Sequence, residues 1–138
     1  MCAFFNTRDE EYRVLMPFIA EGVSRGDNGY HIVDPDLRED HRRRLAEAGI
    51  PVTEAERDGR LEIREWQDAY LREGRFDQER MLALIEQVLD AGARKRTGLT
   101  RLVAHMEWAL EDFPGVTDLV RYETRLNYLL PRYRDPVI

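Results

Sequence analysis

The feature that most constrains this chain is an alternation of two kinds of segment. Short apolar stretches rich in β-formers are separated by longer stretches whose apolar residues recur every three or four positions. "CAFF" (2–5), "YHIVD" (30–34), "LEIREW" (61–66) and "LTRLVAHM" (99–106) read as strands. "LEIREW" alternates apolar and charged residues, which suits a strand near a sheet edge. The stretches between read as helices. Asn6 or Thr7 can cap the first, acids 9 to 11 suit its opening turn, and Tyr12, Leu15, Phe18, Ile19 and Val23 form its stripe. Pro17 falls inside it and predicts a kink or a late start; Gly22 and Gly26 mark its end.

Asp34-Pro35 stops the second strand and opens a helix that runs to Gly49. Residues 50–59 form a connection with one helical turn from Thr53, and 67–76 a loop or short helix. Asp77 caps a strongly amphipathic helix with Met81, Leu82, Leu84, Ile85, Val88 and Leu89 inward. Trp108–Asp112 reads as helical, and Pro114-Gly115 breaks it. Thr117 opens a last helix striped by Leu119, Val120, Tyr122, Leu126, Leu129 and Leu130. The order β-α-β-α-β-α-β-α, at about 30 residues per unit, implies parallel strands with helices on both faces. The expected fold is therefore α/β, a three-layer α-β-α arrangement around a mainly parallel sheet of four to five strands. The chain stops at "RDPVI", where Val137 and Ile138 read as the first residues of another strand. Residues 1–138 are thus expected to form one domain that lacks its final strand. The sheet edge left open favours association, for which a homodimer is the simplest form.

Composition excludes several classes of function. Hydrophobic residues make up 43% and charged residues 35%, as in a folded globular domain. No apolar run approaches the ~20 residues that span a bilayer, and no signal peptide is visible at the start. A cytoplasmic location without membrane contact follows as the expectation. The net charge of −6 argues against direct nucleic-acid binding. The one dense basic run, "HRRRL" (41–45), has acids one helical turn away and reads as a solvated, ion-paired face. Cys2 is the single cysteine, so no internal disulfide forms.

The residues that carry chemistry specify no reaction. A P-loop needs glycines, a Lys and a Ser or Thr around phosphate; the turn "NTRDEEY" has neither Gly nor Lys and places acids there. ATP hydrolysis at that turn is not expected. Ser24 lies outside any G-x-S-x-G. Glu107 and Glu123 can serve as an acid/base pair, or each can hold a backbone amide or an arginine such as Arg101 or Arg121. His31, His41 and His105 show no H-x-x-x-H spacing. They meet only if their strands are neighbours; otherwise each is an isolated histidine with local hydrogen bonds. No catalytic residue, metal or cofactor is expected, and the domain reads as non-enzymatic.

One junction does suggest a site. "RLVAHMEWAL" (101–110) runs from a buried strand into a helix, and the carboxyl ends of parallel strands are where ligands bind. The loops at that end should gather Asn6, Thr7, Asp34, Trp66, Tyr70, His105, Glu107 and Trp108. Aromatic walls with a few polar anchors suit a small-molecule pocket, with His105 or Glu107 orienting the ligand and Trp108 forming a wall. For Trp66, Tyr70 and Trp108 the competing assignment is ordinary core.

The motif order resembles a known family. "CAFFN", "YHIVDP", the run Tyr70, Gly74, Arg75, Phe76, Asp77, the segment Gly98, Leu99, Arg101, Glu107, Trp108 and the pair Tyr122-Glu123 together resemble the MEDS domain, the methanogen/methylotroph, DcmR sensory domain. The resemblance implies a degenerate RecA/KaiC-like fold without a P-loop. It also implies a sensor of small molecules, including hydrocarbon derivatives, in bacterial or archaeal signalling and transcription regulation. Its partners are then a small-molecule ligand and a signalling protein or fused output domain. Two alternatives stand beside this reading. One is a ligand-free protein-interaction module on the same scaffold, and the other a residual nucleotide-binding or haem-binding domain.

Overall fold

The computed structural model describes residues 4–95 and 98–138. Helix α1 spans Arg8–Arg25. Its cap is the expected Thr7, whose hydroxyl accepts from the Glu10 N–H at 3.2 Å, with Asp9, Glu10 and Glu11 in the first turn where the helix dipole favours acids. Pro17 lies within it, and Gly26 closes it in the left-handed conformation at φ 76°. Strand β1, Asn28–Val33, follows directly. A 3-10 turn over Pro35–Leu37 leads into α2, Arg38–Glu47, and α3 covers Val52–Arg57. Strand β2 is Leu61–Glu65, and the short helix α4 is Trp66–Ala69. Helix α5, Gln78–Lys95, begins where Asp77 accepts from the N–H groups of Glu79 and Arg80. Strand β3 is Thr100–Ala104, and α6 is Leu119–Leu129.

The sheet is parallel throughout, in the order β2-β1-β3. His31 of β1 stands opposite Ile63 on one side and Val103 on the other. The expected four to five strands are therefore three among the described residues. Of the proposed first strand, Cys2 and Ala3 lie outside the described residues, while Phe4 and Phe5 form no strand and Phe4 is 94% exposed. Both sides of β1 are already paired, so the centre of the sheet has no place for another strand. The expected final strand is represented by a single parallel bridge from Val137 to Leu102. Around it the Leu102 N–H donates to Pro136 O, the Ile138 N–H to Leu102 O and the Ala104 N–H to Ile138 O. The edge of β3 expected to lie open is thus partly covered by the chain's own last residues.

Two apolar layers sandwich the sheet, as the alternation required. Tyr30, Ile32 and Leu102 point toward α4, α5 and α6, where Met81, Ile85, Leu89, Trp108, Tyr122 and Leu126 complete one core. Val33, Leu61, Ile63 and Val103 point toward α1, α2 and α3, where they meet Leu15, Ile19 and Leu45. Val120 departs from the expected stripe of α6 and is exposed. The basic run on α2 is ion-paired: helical spacing pairs Arg43 with Asp40 and Glu47 and Arg44 with Asp40, while Arg42 with Glu56 and Arg44 with Asp9 are tertiary pairs.

Candidate functional site

Strand alternation sends His31, like Val33 and Val103, toward the α1–α2 layer, and His105 follows β3 on that same side. His41 lies on the inward face of α2. The chain's three histidines, expected to be isolated, are therefore all buried and together. β1 and β3 are neighbours, which is the condition under which they could meet. His41 Nδ1 lies 2.5 Å from Tyr12 Oη, and its Nε2 lies 2.9 Å from His31 Nδ1. Burial pushes the Tyr12 phenol above its ordinary range, so it stays protonated and can donate to His41 Nδ1. Neutral His41 then donates from Nε2 to His31 Nδ1, and all three groups share one consistent set of protons. Burial holds His31 well below the ordinary histidine range and His41 down at about 3, with His105 adding to both effects.

His105 stands beside this chain, its ring perpendicular to that of His41 at 5.7 Å between centroids. Its Nε2 is 3.4 Å from Glu11 Oε1. Neither ring nitrogen makes a hydrogen bond among the described residues, and the same holds for the buried Oε2 of Glu107. Arg8 bridges the two acids, with Nη1 at 3.4 Å from Glu11 and 3.2 Å from Glu107. Burial, reinforced by Glu107, raises the Glu11 carboxyl, and Arg8 and Arg44 partly offset this. Burial, helped by Arg8, lowers His105 to about 4, so its imidazole is neutral and its nitrogen lone pair is available near neutral pH.

Of the eight residues expected to line a pocket, only His105 and Glu107 enter this cluster. Asn6 and Thr7 are exposed at the start of α1; the Asn6 N–H donates to Glu10 Oε2 at 2.9 Å, and Thr7 caps the helix that carries Glu11. Asp34 caps the 3-10 turn that follows β1. Trp66, Tyr70 and Trp108 belong to the core on the opposite face of the sheet. There Trp108 packs on Tyr70 at 4.8 Å and on Phe76 at 5.2 Å, and Tyr122 meets Phe76 edge-on. Trp108 Nε1 makes no hydrogen bond among the described residues. Glu107 pairs with Arg8, not Arg101, and Glu123 lies on α6 in the other helical layer.

Sequence reasoning did not single out Arg8, Glu11 or Tyr12 as site residues, nor join the histidines. The available signal was that two of the three histidines sit at inward positions of strand-like segments. Two openings lie away from Glu11, His105 and Glu107, none of which lines either one. A narrow apolar cleft of about 30 Å³ runs between Ile19, Val23, Leu45, Ile50 and Leu61 and reaches His31. A shallow polar recess of about 400 Å³ lies past β2 among Arg38, Arg64, Glu65, Asp68 and Arg72.

The motifs that carried the family resemblance have structural duties here. Gly98 takes φ 112°, and a Cβ there would sit 2.6 Å from Gly26 O. The Leu99 N–H donates to Asp27 Oδ1 at 3.0 Å, and the buried Arg101 donates to Asp27 Oδ2 at 2.9 Å and to Phe18 O at 2.8 Å. This knot ties the start of β3 to the end of α1. The Phe76 N–H donates to Pro114 O, which anchors the Gly74–Asp77 run on the loop before α6.

Comparison with curated proteins found no match, and comparison with solved structures found none. No helix among the described residues is long and apolar enough to cross a membrane. The sequence profile of the MEDS family, the MEthanogen/methylotroph, DcmR Sensory domain, matches residues 1–137. The chain therefore belongs to the MEDS family of sensory domains.

Proposed function

We propose that this chain is a non-enzymatic sensory domain that binds a small ligand at the Glu11–His105–Glu107 cluster and passes the signal to a protein partner or fused output domain. One observation carries the reading. His105 is 3% exposed, yet both its ring nitrogens lack hydrogen bonds, and the adjoining Glu107 Oε2 is buried in the same condition. A buried polar group without a partner costs about 1–3 kcal/mol, so such groups in native proteins call for a ligand, ion or water. A small hydrocarbon derivative carrying one polar group can satisfy the unpartnered atoms of His105 and Glu107. α1 presents both Arg8 and Glu11 to the cluster, so it is the element whose position a ligand can shift.

The test is native mass spectrometry of freshly purified, tag-free protein beside a denatured control, joined to thermal melts with small alcohols, halocarbons and carboxylates. We expect an added mass that is lost on denaturation, or a melting shift, and either should shrink in Glu107→Gln. Protein that retains no mass and shows no shift with any of these compounds overturns the reading.

A second reading, a ligand-free interaction module, is favoured by the other half of the strand-end region. There Tyr70, Phe76, Trp108 and Tyr122 pack ring against ring. Native mass spectrometry of a stable complex with a partner, unchanged by Glu107→Gln, would support it.

A further inference from the structure

Glu11, His105 and Glu107 each offer one donor atom, and the three atoms lie within 4.8 Å of one another. The residues come from two elements, the first turns of α1 and the segment after β3, so the tertiary fold rather than a local motif assembles them. We propose that these three side chains bind a divalent first-row transition-metal ion, with water or a small exogenous ligand completing its coordination. The proposal rests on the reading of this cluster as the ligand site and names what would bind there first.

Four observations support it. His105 is buried, aimed at the two acids and free of hydrogen bonds. Its Nε2 stands 3.4 Å from Glu11 Oε1, and donors about 2.1 Å from a tetrahedral centre lie about 3.4 Å apart. The buried Oε2 of Glu107 supplies another atom without a hydrogen bond. Finally, the Arg8 guanidinium already sits against both carboxylates, so the site favours a cation. Arg8 is one-third exposed and can swing to solvent when a metal takes its place. A dication balances the two carboxylates and leaves the neutral imidazole as its third ligand.

The donor set narrows the metal. One imidazole and two carboxylates without a thiolate suit zinc, iron(II), cobalt(II) or manganese(II) rather than copper(I). Three protein ligands leave at least one position open, as in metal sites that engage exogenous molecules. The Tyr12–His41–His31 chain forms the adjoining wall and spends both nitrogens of His41 on hydrogen bonds. That keeps His41 from competing as a ligand.

The test uses tag-free full-length protein stripped with chelator, titrated with Zn²⁺ by calorimetry and with Co²⁺ by visible absorbance. We expect one ion per chain and cobalt ligand-field bands. Glu107→Gln and Glu11→Gln should each weaken Zn²⁺ binding by at least about tenfold. Arg8→Gln should tighten it severalfold, because the competing cation is gone; an ion pair that serves only the fold predicts no binding in any of these proteins. His105→Gln should abolish the cobalt bands, and circular dichroism checks that each variant remains folded. Absence of Zn²⁺ binding up to about 1 mM overturns the proposal, as does equal affinity in wild type, Glu11→Gln and Glu107→Gln. If metal fails to bind while native mass spectrometry still finds an organic ligand, the metal alone is overturned. If neither binds, the sensing reading falls with it.

Discussion

His41 Nε2 lies 2.9 Å from His31 Nδ1, so two fully buried imidazoles share one proton in the middle of the α1–α2 layer. The arrangement requires both rings to be neutral. Protonating either would place a charge against a second imidazole in a site that excludes water.

The pH dependence of stability follows from that requirement. In the unfolded chain these histidines titrate near pH ~6.5. In the fold, burial holds His31 well below that value and His41 at about 3. Between the unfolded and folded values the unfolded state binds more protons, so stability falls as pH drops below about 6.5. At full slope each histidine contributes about 1.4 kcal/mol per pH unit. Above about pH 7 the contribution of both is complete and flat. Glu11 acts in the opposite sense over a window just above its ordinary range, because its raised carboxyl keeps a proton longer in the folded state. Urea denaturation of metal-free protein from pH 7 to 4 should show a net loss toward acid. The slope should be reduced in His41→Gln.

Tyr12→Phe removes the hydroxyl that serves His41 Nδ1 while leaving the ring in place. The loss should be about 1–3 kcal/mol, because a buried nitrogen is left without its partner. Equilibrium unfolding at pH 7 measures it.

Arg101→Met should cost about 3–5 kcal/mol. The substitution strands the 4%-exposed Asp27 carboxylate, which Arg101 and the Leu99 N–H hold below its usual range. Asp27→Asn tests the pair from the other side, and a double-mutant cycle isolates their coupling.

Gly115→Ala should be far more damaging than Gly74→Ala, although both glycines have positive φ. A Cβ at Gly115 would overlap the carbonyl oxygen of Phe76, whereas at Gly74 it meets open space. Gly74→Ala should cost about 1 kcal/mol from backbone strain alone. Thermal melts of the two variants side by side check the ranking.

Trp108→Ala should destabilise the domain by about 3–5 kcal/mol, since the ring is fully buried against Tyr70 and Phe76. Metal affinity measured in a folded Trp108→Phe variant should be unchanged, because Trp108 packs on the face opposite His105.

Much of the fold was legible in the sequence because its signals are local. Thr7 and Asp77 cap helices through bonds to residues two or three positions away, and Gly26 ends α1 by its own backbone freedom. The alternation of short apolar runs with helical stripes determined an α/β chain with parallel strands and a helical layer on each face. The number of strands was less legible: an apolar dipeptide such as Phe4-Phe5 is a strand only where a free edge exists, and none receives it. Of the site, His105 and Glu107 were visible as polar residues at the end of a buried strand. Their partners were not. Glu11 was read as one of three acids suited to a helix N-terminus, and His31 and His41 as isolated rings. Only the strand order β2-β1-β3, with α1 and α2 on one face, brings them together. That order is decided by which packed faces bury one another, a long-range balance that no local spacing encodes. It also separated His105 from Trp108, three residues apart in the chain but on opposite sides of the sheet.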